Sequence, residues 1–396
     1  MSQFRYIHSV WPASNTGDGS ALSLDFTTGV LDSRFTFTRS TTGTYINSSG
    51  YVTSAAIDAP RFTYSSTGTL LGLLIESSSV NLVTQSNGAT SVWTIGANRT
   101  PTNNTTDLLS PDGTNNATKL VCGTATNYAS YATSITGLTG GATYTVSFWM
   151  RGPSGHTPRL YAINGTVGDV TATSTTGTYN NTGWTRLTQT YTLPATTTQV
   201  FVYFASIGIV NTGDVFYLWG FQFEPGAVAS SHIPTTTSTG SRAADSCVMT
   251  GTNFSSWFNA TEGTLLAHAI RSRTSDVGRI ASVNDNTTSE SIQLVADTTG
   301  KFFVFDNGSP QASISVGTVT ANSAFKIAGA YKLDAVQAAL GGTLGTADTS
   351  ATMPTVDRLM IGQQAGASPV YLNGTISLLK YWPTRLTDAE LQSLTT

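Results

Sequence analysis

Residue types able to do covalent or metal chemistry are thinly spread along this chain. The four histidines, His8, His156, His232 and His268, stand far apart, with no His-Glu-x-x-His pair for a zinc ion. The two cysteines, Cys122 and Cys247, form no Cys-x-x-Cys; a disulfide framework is excluded and a bridge between them is not expected. Gly152-Pro-Ser-Gly-His156 only partly matches the turn that presents a serine nucleophile, and it reads as a loop. Gly300-Lys301 lacks the upstream glycine of a phosphate-binding loop. Glycoside hydrolysis needs two carboxylates about 5–10 Å apart. Glu224, Glu262 and Glu290 offer no such pairing and read as structural or solvated. The chain is therefore expected to be non-enzymatic, with no catalytic residue, no metal ligand and no cofactor.

Aromatic surface is what remains. A sugar ring presents a face of C–H groups that stacks on Trp or Tyr, while amides, carboxylates and guanidiniums take the hydroxyls. Tyr128 and Tyr131 in Asn127-Tyr-Ala-Ser-Tyr131 are candidates for this. So are Trp149, which alternates away from Tyr144, Val146, Phe148 and Met150, and the pair Arg159 and Tyr161, two residues apart on one side of a strand. An outward tryptophan can equally be covered at an interface. Trp184, in Gly183-Trp-Thr-Arg186, reads as core.

The elements that would position these side chains are strands. Tyr144–Met150, Val200–Phe204 and Val215–Phe223 alternate with period two and are rich in β-branched and aromatic residues. In the last of these, Val215, Tyr217, Trp219, Phe221 and Phe223 share one parity. Asn47-Ser-Ser-Gly50, Asp297-Thr-Thr-Gly300 and Asp306-Asn-Gly308 read as hairpin turns. Leu333–Leu340 has helix propensity but is read as a strand among strands. The best helix signal is terminal: Thr387-Asp-Ala-Glu390 matches a capping box, with Leu386, Leu391 and Leu394 as an apolar stripe.

Composition agrees. Only 10% of the 396 residues are charged, against ~25% in an average domain. Serine and threonine make up more than a quarter of the chain instead. A net charge of −3 and the lack of a Lys/Arg cluster argue against nucleic acid, and no apolar run reaches the ~20 residues that span a bilayer. Met1–Tyr6 has no apolar stretch of a secretory signal, so export through that route is not expected. Three segments emerge: an irregular, strand-poor 1–85; a β-sandwich over 86–240 ending in a polar linker-like stretch; and a second β-sandwich over 241–396. The fold class is all-β, with two sandwich or jelly-roll units behind an N-terminal hairpin segment and a short C-terminal helix.

Residues 35–82 carry a set of landmarks in order: Phe35-Thr-Phe-Thr-Arg39 to Tyr45, Gly50, Pro60-Arg-Phe62, Gly72-Leu-Leu-Ile-Glu76 and Asn81-Leu82. This order resembles a module of bacteriophage virion proteins of the tail-fibre and head-spike kind, departing from it at Ser79-Val80, where Arg-Thr is common. The middle segment, with Pro111-Asp-Gly113, Gly183-Trp184 and Tyr217–Gly226, resembles a carbohydrate-binding-module jelly roll. The exit Ser231–Thr235 through Arg242-Ala-Ala-Asp245 fits the same pattern. The last segment resembles a laminin-G or concanavalin-A-like lectin sandwich through Gly278-Arg-Ile280, Val356–Gly362, Leu372–Thr375 and Tyr381–Leu391.

The resemblance implies a virion surface protein, a tail fibre, spike or head fibre, made in the bacterial cytoplasm and attaching to host-surface glycans. The alternative is a structural capsid decoration or cement protein without a ligand. A polysaccharide-degrading spike is disfavoured by the missing carboxylate pair. Expected partners are other virion proteins, host glycans and further copies of the chain. A trimer is the favoured oligomer, formed through sandwich faces or the N-terminal segment because no heptad run supplies a coiled coil. Calcium stabilises some related sandwiches, but no acidic cluster here demands it.

Overall fold

The computed structural model describes residues 17–88, 93–96, 98–124, 126–128, 131–153, 159–162, 168–170, 172–176, 180–203, 207–272, 277–366 and 369–396. The chain is all-β, with two antiparallel sandwiches and a short C-terminal helix.

In the middle sandwich, one sheet runs Ala172–Thr176, Thr185–Thr192, Thr143–Arg151, Val215–Pro225, Thr118–Cys122 and Arg99–Thr102. The other runs Gly168–Val170, Arg159–Ala162, Gln199–Tyr203, Tyr131–Thr136 and Thr94–Ile95. Tyr144, Val146, Phe148 and Met150 fill the space between them with Val200 and Val202, as the alternation of those strands requires. Val215–Pro225 departs from simple alternation. Phe216 and Leu218 face the core, and after Gly220 so do Phe221 and Phe223, while Trp219 faces away. A bulge does this: the register against Thr143–Arg151 shifts between Ser147 and Trp149, and Gly220 takes φ +66°. The single parity expected from Val215 to Phe223 is thus broken by one inserted residue.

The second sandwich is not confined to the last segment. Its first sheet is ordered Thr343–Leu344, Gln337–Leu340, Ala324–Lys332, Glu262–Arg271, Gly374–Trp382, Leu70–Ile75, Arg61–Tyr64, and Leu22–Asp25 also pairs with Gly374–Trp382. Its second sheet begins with Thr36–Thr38, followed by Ser246–Thr250, Arg358–Ile361, Gly278–Asn284, Ser291–Ala296, Thr299–Asp306 and Ser309–Thr318. Strands from residues 22–75 therefore complete both layers. Leu22, Leu24, Phe26, Phe37, Leu73 and Ile75 share one core with Leu265, Ile280, Phe302, Leu359 and Tyr381. The sequence boundary near residue 85 does not coincide with a boundary between sheets.

Local signals hold where the chemistry is short-range. Gly43–Ile46 and Val52–Ala55 pair as a hairpin closed by Gly50 N–H donating to Asn47 O. Asn307 and Gly308 turn with φ +51° and +74°, the mirror-image turn that the strand twist prefers. The helix Asp388–Thr395 carries both bonds of its capping box and seats Leu391 on Leu266, Ala328 and Trp382. Within Leu333–Leu340 only Gln337–Leu340 is strand, after a turn in which Asp334 has φ +55°. A one-turn helix, Thr252–Ser255, had no sequence signal.

Candidate functional site

Trp149 sits on the face of the six-stranded sheet that points away from the core, as its parity dictates, but that face is covered. The hairpin strands supply Ile46 and Val52, and with Ala117, Trp219 and Trp184 they enclose the indole, which is only 8% exposed. The Trp149 and Trp219 rings meet edge-on at 5.2 Å, and His232 lies against both, at 5.8 and 4.8 Å. The Arg186 guanidinium stands 4.6 Å from the Trp149 ring. A Cβ on Gly220 would come within 2.7 Å of Trp149 Cε3, so the bulge glycine is also what lets the indole approach the neighbouring strand this closely. Trp149 is thus an internal packing residue and not an open platform. Trp184, read as core, is half-buried at the edge of this outer cluster, its Nε1–H donating to Leu109 O at 2.8 Å.

The remaining sequence candidates lie on the opposite layer. Tyr131, Arg159 and Tyr161 are on the five-stranded sheet, where Arg159 is opposite Tyr203 and Tyr161 opposite Phe201. Ala132 continues the first row and Ser134 the second. Ser134 and Thr136 are exposed and Ala132 is buried, as are Val202 between the two rows and the next pair, Ile135 and Val200. Tyr128 belongs to a separate small ladder, Thr126–Tyr128 with Ile207–Val210, and faces Ile207 in register. Strand register therefore pairs Arg159 with Tyr203 and Tyr161 with Phe201, two further aromatic positions of Val200–Phe204. Their parity against Val200 and Val202 was the available signal.

A second constellation was not foreseen. Arg39 Nη1–H donates to Asp245 Oδ1 at 3.1 Å, and Arg61 Nη2–H to Asp245 Oδ2 at 2.5 Å, with all three side chains wholly buried. Arg61 Nη1 is 2.8 Å from Glu76 Oε2 and also donates to Thr44 O and Ser231 Oγ. Arg242 Nε lies 3.6 Å from the same Glu76 oxygen. Burial pushes the Glu76 carboxyl up, but Arg242, Arg61 and the Ser231 donors outweigh it and hold the group at about 2. Asn81 joins in: its Nδ2 donates to Phe221 O and Ile233 O, and its Oδ1 accepts from Val83 N–H and Phe223 N–H. The landmark residues Arg39, Arg61, Glu76, Asn81, Ser231 and Asp245 thus meet at one junction, where the N-terminal segment, the middle sandwich and the linker to the second sandwich lock together.

The three carboxylates weighed for hydrolysis are dispersed. Glu224 accepts from Gln222, Ser79 and Ser230, Glu262 from Arg385 N–H, and Glu290 from Asn307 and Thr355 N–H. Among the described residues no group of three His, Cys, Asp or Glu side chains is placed to hold a metal ion, and no helix is long and apolar enough to cross a membrane. Cys122 and Cys247 are buried in different cores, and burial pushes both thiols up. His8 and Ser154–His156 lie outside the described residues.

Residues 81–211 match a family model described as a carbohydrate binding domain, a stretch that spans both layers of the middle sandwich. No curated protein matches the chain. Among solved structures, the CBM40 of the Ruminococcus gnavus IT-sialidase bound to α2,3 sialyllactose is 13% identical, with 35% of this chain and 84% of that one covered and a TM-score of 0.31. A heptameric SAP-like pentraxin from Limulus polyphemus is 14% identical, covering 35% and 70%, with a TM-score of 0.26. Trypanosoma rangeli sialidase with the inhibitor DANA is 13% identical, covering 38% and 25%, with a TM-score of 0.30. Over residues 81–211, about a third of its length, the chain is thus similar to a carbohydrate binding domain.

Proposed function

We propose that the chain is a non-enzymatic surface protein of a bacteriophage virion, and that the five-stranded sheet of its middle sandwich engages host-surface glycans. The observation that carries this reading is the carbohydrate-binding match over residues 81–211, which falls on the sheet whose adjacent rows hold Arg159 with Tyr203 and Tyr161 with Phe201. Rings and a guanidinium in neighbouring rows suit stacking on a sugar and bonding to its hydroxyls. Its neighbours would be other virion proteins and further copies of itself, and several copies on one particle would turn weak binding into avidity.

Glycan-array binding by the whole chain tests this. Tyr161→Ala and Arg159→Ala should each weaken the signal several-fold, and Trp149→Ala should act only through stability. Binding that survives both sheet substitutions would displace the site; no binding to any host polysaccharide would sink the glycan reading. One observation favours the structural alternative, a capsid decoration or cement protein: the aromatic face around Trp149 is spent on internal packing. Electron microscopy of particles labelled at the C-terminus separates the two by location and neighbours.

A further inference from the structure

A groove of about 510 Å³ opens at the junction, away from the five-stranded sheet, and is lined by Ser40, Thr41, Ser78, Ser79, Ser241 and Arg242. Its floor is built by the short ladder Ser79–Asn81 with Gly240–Arg242, in which Arg242 is opposite Ser79. Thr41 Oγ1 accepts from Ala243 N–H at 2.9 Å and ties the N-terminal segment to the same ladder. Val80, Pro225 and Ala243 complete the lining, so serine and threonine hydroxyls share it with apolar surface, and Arg242 is its charged residue. Arg242 is 2% exposed, donates from Nη1 to Ala243 O at 3.3 Å, and has no hydrogen-bond partner at Nε or Nη2. A buried guanidinium with unmet donors is costly until an anion or acceptor reaches it.

Glu76 Oε2 faces this guanidinium, but at 3.6 Å from Nε it stands beyond hydrogen-bond distance, and no acceptor reaches Nη2. The buried guanidiniums of Arg39, Arg61 and Arg242 face the carboxylates of Glu76 and Asp245; Arg39 and Arg61 hold Asp245, and Arg61 and Ser231 lie closer to Glu76 than Arg242 does. Glu224 approaches the groove through Ser79 Oγ, but Gln222 and Ser230 hold it as well, and it faces Arg186. Three guanidiniums against two carboxylates leave these buried groups one positive charge in excess, and Arg242 is the member of the set that lines the groove. The volume lies within the range of about 300–1,000 Å³ in which small ligands bind.

We propose that this groove binds an acidic saccharide, its carboxylate paired with Arg242 and its ring hydroxyls bonded to the serine and threonine rim. The site is distinct from the sheet surface proposed above and stands or falls separately. Calorimetric titration of the whole chain with methyl β-D-glucuronide and methyl β-D-glucoside tests it. The glucuronide should bind at millimolar affinity, ~10-fold or more tighter than the glucoside. Arg242→Gln should abolish that preference, and Ser78→Trp, which fills the groove from an exposed position without touching the buried charges, should abolish binding. Tyr161→Ala should leave it unchanged. Equal binding of the two sugars, binding that survives Ser78→Trp, or no binding at all, as when a water alone satisfies Arg242, would overturn the proposal. Acetate competing as well as the glucuronide would overturn the saccharide class.

Discussion

Arg61 and Asp245 form a 2.5 Å ion pair across 184 residues of sequence, both side chains wholly buried. Asp245 also accepts from Arg39 and from Glu76 N–H, so one carboxylate holds three donors from the N-terminal segment. Asp245→Asn should cost about 3–5 kcal/mol, because two buried guanidiniums lose the charge they face. Urea denaturation of the whole chain should show the loss as a lower midpoint with an unchanged slope.

The sheet order leads to a sharper consequence. A fragment of residues 241–396 alone would leave Gly374–Trp382 without its partners Leu22–Asp25 and Leu70–Ile75, and would expose the core positions that Phe26, Leu73 and Ile75 fill. It is expected to be unfolded or aggregated, whereas the same fragment supplied with residues 17–85 recovers strand circular dichroism. A 241–396 fragment with a sharp two-state melt would show that the N-terminal strands are ornamental.

Gly220 carries a different kind of constraint. Gly220→Ala places a methyl group at 2.7 Å from the Trp149 ring, on a residue whose φ is +66°. Overpacking and backbone strain together are expected to cost roughly 2–4 kcal/mol. The near-ultraviolet circular dichroism of the Trp149–Trp219 pair should weaken as the rings part.

His232 makes stability depend on pH. Burial, then the nearby Arg186 charge, push its imidazole down to about 3, and neither ring nitrogen has a hydrogen-bond partner. Below the ordinary histidine value near 6.5 the unfolded chain takes up a proton that the folded chain refuses, so stability falls as pH falls. Between about pH 6 and 4.5 the slope from this residue is about 1.4 kcal/mol per unit. Glu76 adds its own loss only below its ordinary value of 4.5, and that loss continues down to about 2. His232→Phe keeps the ring contacts with Trp149 and Trp219 and should flatten the profile between pH 6 and 5, as thermal melts at both values would read.

The sequence by itself determined the strand-forming segments, the hairpin turns, the capped terminal helix and the inner face of Tyr144–Met150, but not that of Val215–Phe223, whose parity the bulge at Gly220 reverses. These depend on residues two to four apart, where alternation, turn conformation and capping act. The resemblance carried by residues 35–82 and 231–245 marked Arg39, Arg61, Glu76, Asn81, Ser231 and Asp245 as landmarks, without saying what they do. Only the tertiary structure decided that Arg39, Arg61, Glu76 and Asp245 form one buried charge cluster, because each ion pair closes a loop of tens to hundreds of residues. The same holds for Trp149. Its parity correctly places it off the core, yet what lies over that face is a hairpin a hundred residues upstream, and no local pattern encodes that cover. Likewise strand pairing joins the first of the three sequence segments to the third, since hydrogen-bonding edges are satisfied by whichever strand reaches them in space.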